Sequence, residues 1–242
     1  MTWSICAREP LAGGGTRFGI AIASRFFAVG SLPPRIVPGL GALCSQAFLN
    51  PLYPRRGGRL LEAGVPMPEL VALLVADDPG RESRQVHGID AAGRIAAHTG
   101  SECVPWCGSV EGPDVSIAGN MLAGEQVLTA TIDSFLASAG RPLERRLIEA
   151  MAAGEEAGGD ARGREAAAIL IWGTEEYPEL DLRCDNHPDP IGELDRLERE
   201  SHRRFRTFRR FLATQTDPAG VWDRASILEA LAESERAFDA KP

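Results

Sequence analysis

Apolar and polar residues alternate from the start of the chain. Across Thr2–Arg8, Thr2, Ser4 and Cys6 fall on one face and Trp3, Ile5 and Ala7 on the other, the period of two that a strand requires. After a glycine-rich turn at Pro10–Gly15, Arg17–Ser24 alternates again. It sets Phe18, Ile20 and Ile22 against a face of Gly19, Ala21 and Ala23, small enough for another element or a ligand to come close. The two segments read as a hairpin. Pro33-Pro34 is a break, and Gly39–Phe48 reads as a buried strand.

The period then changes. Helices are expected at Gly58–Ala63 and Pro68–Asp77, the second with Leu70, Leu73 and Leu74 as its stripe. A second hairpin pairs Arg84–Asp90 with Arg94–Thr99, and Val115–Gly119 is a short strand. Glu125–Ser138 and Leu143–Ala153 are amphipathic helices, while Ala166–Trp172 and Leu180–Cys184 are strands. Asp189 caps a helix with Pro190 in its first turn. Its stripe of Ile191, Leu194, Leu197, Ser201, Phe205, Phe208 and Leu212 predicts one long helix with buried aromatics and solvated arginines. That reading outweighs RNA or membrane binding for the basic, aromatic run His202–Phe211. A last helix is expected near Ala225–Ala237. Strands, helices, strands and a long helix in this order predict a layered α+β sandwich rather than a βαβ repeat.

Composition narrows the function. At 242 residues the chain can bury a full core. A net charge of −8 argues against nucleic acid as the main partner. No apolar run approaches a membrane span, and the first residues lack a secretory signal. Cys6, Cys44, Cys103, Cys107 and Cys184 are an odd, scattered set, which suggests reduced thiols in a cytoplasm. Of the 26 basic residues only Lys241 is a lysine. That sets aside a P-loop lysine, a Schiff base and a Ser–Lys dyad, because arginine is too basic to shuttle a proton.

No metal or cofactor is expected. Cys103 and Cys107 have His98 nearby but no second cysteine pair to complete a zinc site. Asp185–Asp189 reads as a capped turn before it reads as a divalent-ion cluster. A thiol enzyme built on Cys6 or Cys44 is weakened by the lack of a base near either in sequence.

Thr2 carries the most pointed chemistry. Methionine aminopeptidase trims Met ahead of a residue this small, which would leave Thr2 with a free α-amine beside its hydroxyl, a nucleophile and base in one residue. Taken alone, Thr2 reads first as an ordinary strand starter, since very many proteins begin Met-Thr. A series of co-linear blocks adds weight. They are Thr2–Arg8, Arg25–Gly30, Ser45–Pro51, Arg84-Gln85-Val86, Ala97–Gly100, Gly119–Gly124, Gly158–Gly163 and Leu182–Pro190. In this order, over about residues 2–200, the chain resembles the domain-of-unknown-function family numbered 1028, a bacterial family placed with the N-terminal-nucleophile (Ntn) hydrolases. The resemblance implies a four-layer αββα sandwich over residues 1–200. A C-terminal helical extension follows at 201–242, and its residues 213–242, beyond the resemblance, would serve as a dimer arm or a tail.

It also implies an amidohydrolase that cleaves a small amide or acylated amine through a Thr2 acyl-enzyme. Asn120 is the expected oxyanion donor, with a capping or turn role equally open. Arg25 or Arg162 would lower the amine pKa in place of the missing lysine. Ser31, Gln46, Asn50, His98 and Asp160 complete the expected substrate-binding set. Ser31, at a loop entrance, could be a second oxyanion donor, and for the others a plainer role stands beside this one: Asp160 and Arg162 as a loop ion pair, Gln46 and Asn50 as loop ties, His98 as a structural histidine. The alternative is a non-catalytic member of the same fold that binds a metabolite or a partner.

Overall fold

The computed structural model describes residues 2–240. Among them it is a mixed α/β structure with two antiparallel sheets. The first sheet is built from β1 (Thr2–Pro10), β2 (Thr16–Ser24), β7 (Gly108–Gly112), β8 (Val115–Asn120), β9 (Ala166–Trp172) and β10 (Leu180–Cys184), in the order β10-β9-β2-β1-β8-β7. The second contains β3 (Pro34–Val37), β4 (Gly41–Ala47), β5 (Arg84–Asp90) and β6 (Ile95–Thr99) in sequence order. Two helices, α1 (Leu52–Glu62) and α2 (Met67–Ala76), connect β4 to β5. A second pair, α3 (Gln126–Ala137) and α4 (Leu143–Glu156), connects β8 to β9.

The alternation along β1 and β2 decides which face meets what. Trp3, Ile5 and Ala7 join Ala21 and Ala23 in one core with Phe135 of α3 and Leu147 of α4. The small face of β2 is what brings α4 close: a Cβ at Gly19 would lie 2.6 Å from Leu147 Cδ1. The opposite face turns to the second sheet, where Cys6, Phe18 and Ile20 meet Ile36, Cys44 and Ile89. Beyond that sheet, Leu43 and Val86 pack with Tyr53 of α1 and Leu70 and Leu74 of α2.

Glycine also sets the α3–α4 contact. A side chain at Gly154 would collide with Thr131 Oγ1 and lie 3.1 Å from Trp3 Nε1. Overpacking of this kind costs about 1–3 kcal/mol. Gly154→Ala is therefore expected to shift the urea midpoint down by a corresponding amount, and an unchanged midpoint would show that the helices can part at no cost.

Several elements depart from the sequence pattern. Helix α1 starts at Leu52, well before Gly58, and runs through Gly57 and Gly58. A Cβ at Gly57 would meet Leu43 Cδ1 at 2.5 Å, so the glycines let the helix approach β4, and packing overrides their poor propensity. Strands β3 and β7 were hidden, the first because it begins at the Pro33-Pro34 break and lies on a sheet edge, where proline is tolerated. The long C-terminal helix is also broken.

By its contacts the chain divides into compact units Met1–Leu194 and Asp195–Pro242, with the division inside α5 (Pro190–Ser201). In the second unit α5 stops at Ser201, and α6 (Phe205–Arg209) and α7 (Arg224–Asp239) follow. Phe205 and Phe208 are 45% and 44% exposed, not buried. The chain turns instead on the buried Glu198, which accepts from Arg206 Nη2 at 2.7 Å and contacts His202 Nε2 at 2.9 Å. No helix among the described residues is long and apolar enough to cross a membrane.

Candidate active site

The inner faces of four strands carry polar and thiol side chains. Thr2, Ser4 and Cys6 lie on β1, Cys44 and Gln46 on β4, Gln85 and His87 on β5, and Ser116 and Asn120 on β8. All are buried, so their polar atoms must find one another. They do, and the resulting network converges on Thr2.

Thr2 pairs with Asn120 across β1 and β8. The Thr2 carbonyl accepts from Asn120 Nδ2 and from Gln46 Nε2, each at 3.4 Å, one donor from each sheet. The Thr2 hydroxyl lies 3.2 Å from Ser24 Oγ. Beneath it, Gln85 is the hub. Its Oε1 accepts from Gln46 Nε2 at 2.8 Å and from Asn120 Nδ2 at 3.0 Å. Its Nε2 donates to Thr99 Oγ1 at 2.8 Å, Gly119 O at 2.9 Å and Gly108 O at 3.1 Å. Deeper still, Ser4 Oγ donates to Gln46 Oε1 at 2.8 Å and contacts His87 Nε2 at 2.7 Å. His87 Nδ1 contacts Ser116 Oγ at 2.9 Å.

A cavity of about 280 Å³ opens over Thr2. Thr2 and Gln46 form a polar wall, and Phe26, Val29, Leu32 and Phe48 supply an apolar one. Phe26 and Phe48 are 64% and 74% exposed, so their rings are open to a ligand in the cavity.

Of the residues singled out from the sequence, Thr2, Ser31 and Gln46 line this cavity. Asn120 lies directly beneath it, its amide group engaged by the Thr2 carbonyl and Gln85. The others do not line it. Asp160 is a buried clamp: it accepts from the backbone N–H of Arg25 at 2.8 Å and of Arg162 at 2.9 Å, and pairs with the Arg162 guanidinium at 3.3 Å. Arg25 reaches the Arg162 carbonyl from the other side. These three tie the 159–163 loop to the end of β2. His98, on β6, contacts the Arg81 carbonyl at 2.9 Å.

Asn50 anchors the loop that carries Phe48 and Leu49. It donates to Asp78 Oδ2 at 2.9 Å, where Arg84 Nε also lands at 3.1 Å, and the Gly80 N–H donates to Asp78 Oδ1 at 2.8 Å. Burial pushes the Asp78 carboxyl up, but these donors outweigh it and hold the group well below the usual carboxylate range. With the folded pKa depressed, the contribution to stability is complete above the unfolded value of about 3.9 and is lost as pH falls below it. The melting temperature of Asp78→Asn should therefore lie below that of the wild type at pH 7, and the gap should close as both are acidified. A gap that stays constant with pH would remove the carboxylate from the anchor.

Among the described residues, one group could hold a metal ion: Cys6, Cys44 and His87, whose ligand atoms lie within 4.8 Å of one another. Both ring nitrogens of His87 already have hydroxyl partners, and a four-coordinate zinc would lack its fourth soft ligand. Burial pushes the Cys6 thiol pKa up, and the neighbouring Cys44 adds to the rise. His87 Nε2 lies 4.0 Å from Cys6 Sγ, the base that the sequence did not show. Yet all three side chains are fully buried between the sheets, closed to a substrate.

Gln85 and His87 are the residues that sequence reasoning missed. Their signal was present, as polar residues two apart on a strand whose next inward position is Ile89.

A family described only as one of unknown function, DUF1028, matches residues 2–194. The chain belongs to this family. The DUF1028 chain is also similar to a solved structure, the protein SPO2555 from Silicibacter pomeroyi, whose description carries the same family. The two are 30% identical with a TM-score of 0.82, over 92% of this chain and 99% of that one. No curated protein matches it. In the family's terms, the matched region contains both sheets and every residue of the Thr2 network.

Proposed function

We infer that this DUF1028 protein is an N-terminal-nucleophile amidohydrolase acting on a small amide or acylated amine. The observation that carries the reading is that Thr2, the first residue of β1, forms part of the wall of a ligand-sized cavity with its carbonyl held from both sheets. Helices packed outside each of two facing sheets are the order an αββα sandwich would have, and this supports the superfamily assignment.

With Met1 removed, the Thr2 α-amine takes the proton from its own hydroxyl, directly or through one water, and Oγ1 attacks the amide carbon. The tetrahedral adduct then collapses as the protonated amine gives its proton to the leaving nitrogen. The C–N bond breaks and an ester to Thr2 remains. Water, deprotonated by the same amine, hydrolyses that ester and restores Thr2. The carbonyl clamp from Asn120 and Gln46 fixes the backbone from which both reacting groups of Thr2 project, a positioning role. Ser31, which also lines the cavity, is the candidate donor for the oxyanion.

The test is an intact mass of the purified full chain before and after treatment with a β-lactone. Loss of one methionine residue and gain of a single adduct mapped to Thr2, absent from Thr2→Ala, is the expected result. Retained methionine, or a trimmed chain that takes no adduct, would overturn the nucleophile and leave a binding protein on this fold.

A further inference from the structure

A second cavity, of about 390 Å³, shares the Ser31–Leu32 wall with the one over Thr2. Its chemistry is different. Arg35 of β3 and Arg55 and Arg59 of α1 line it, against a single acidic residue, Glu62. None of the three arginines forms an ion pair with a described residue. In a chain of net charge −8, whose other arginines are widely paired, three unpaired guanidinium groups around one depression are an uncompensated positive site. Guanidinium forks match carboxylate and phosphate oxygens in particular.

The two cavities together describe one ligand. We propose that the protein selects amides with an apolar body and an anionic group, the body lying against Phe26, Leu32 and Phe48 beside Thr2 and the anion reaching over Ser31 to Arg35, Arg55 and Arg59. The proposal rests on the amidohydrolase reading for the position of the scissile bond. The anion site itself stands on the arginines. Carboxylate and phosphate share this chemistry, and the Ser31–Leu32 wall sets how far the anion must lie from the amide. A ligand with only one of the two parts fills one cavity and leaves the other to water.

The experiment measures binding apart from turnover. N-hexanoyl conjugates of glycine, γ-aminobutyrate and ε-aminohexanoate, each beside its uncharged carboxamide, are titrated calorimetrically into the full-length Thr2→Ala protein. At least one acid is expected to bind roughly tenfold more tightly than its carboxamide, as charge-assisted hydrogen bonds to arginine should give. The preference should fall in about 0.5 M salt, which screens exposed charges. It should vanish in Arg55→Gln/Arg59→Gln and survive in Arg56→Gln, a neighbour on α1 that does not line this cavity. Equal binding of acid and carboxamide in all three pairs, no binding by any, or a preference that survives the double substitution would overturn the proposal. Should the double variant not fold, the wild-type-arginine preference and its salt dependence decide alone. The same conjugates given to the wild type separate the two readings. A charge preference in binding without hydrolysis would sink the nucleophile and keep the anion site; hydrolysis indifferent to charge would do the reverse.

Discussion

Replacing Gln85 by leucine is expected to destabilise the protein by about 3–5 kcal/mol, although the two side chains are close in size, since each buried group left without a partner costs about 1–3 kcal/mol. Gln85 has no exposed surface, and its amide serves five partners on three strands and the β6 end. Leucine fills the volume and answers none of them. The carbonyls of Gly108 and Gly119 still belong to ladder strands and keep some compensation, so the total falls below a full sum. Urea unfolding of wild type, Gln85→Leu and Gln85→Glu would measure it. Glutamate keeps the acceptors but loses the donors, and at a position with no exposed surface it must also bury a charge or bind a proton, so it should destabilise as well. A leucine variant as stable as wild type would mean that the network contributes no net stability.

The second large effect concerns turnover. Thr2→Ala should lower hydrolysis by at least about a thousandfold, the scale on which removing a covalent nucleophile is felt. Thr2→Ser should retain activity, because it keeps both the hydroxyl and the α-amine and is trimmed by the same aminopeptidase. The rate should rise as pH passes through about 7–8, where an α-amine becomes neutral and able to accept the hydroxyl proton. Folding must be checked alongside, and alanine is mild there, since the Thr2 backbone makes the contacts that tie it to Asn120 and Gln46. Activity that survives in the alanine variant with a normal melting curve would place the chemistry elsewhere.

Much of the fold was legible because its strands alternate cleanly. β9 and β10 have the bounds that the apolar runs predict, and the split face of β2 foretold both the close helix and the packed interior. What escaped detection was set by tertiary contact. Helix α1 runs through two glycines because they seat it against Leu43, and the aromatic stripe after Ser201 fails because Glu198 draws Arg206 and His202 back. The same division holds for the site. Thr2 and Asn120 stand 118 positions apart, and both were visible as residue types with a task. Gln46 was visible as a polar residue at a strand end. That Gln85 joins them needed the register of two sheets at once, which no local pattern contains. Asp160 and Arg162 form the loop ion pair that was their plainer reading, and the backbone N–H of Arg25 joins it.

The clamp on the Thr2 carbonyl has one donor on β4 and one on β8, strands of different sheets. Its geometry is therefore a vernier for the alignment of the two sheets. A sideways slip of one sheet over the other displaces the Gln46 donor, while Asn120, on the strand paired with β1, travels with Thr2. On the proposed reading of Thr2 as the nucleophile, substitutions far from the cavity, in the Phe18–Ile89 interface for instance, should therefore slow acylation by shifting Gln46 away from the Thr2 carbonyl.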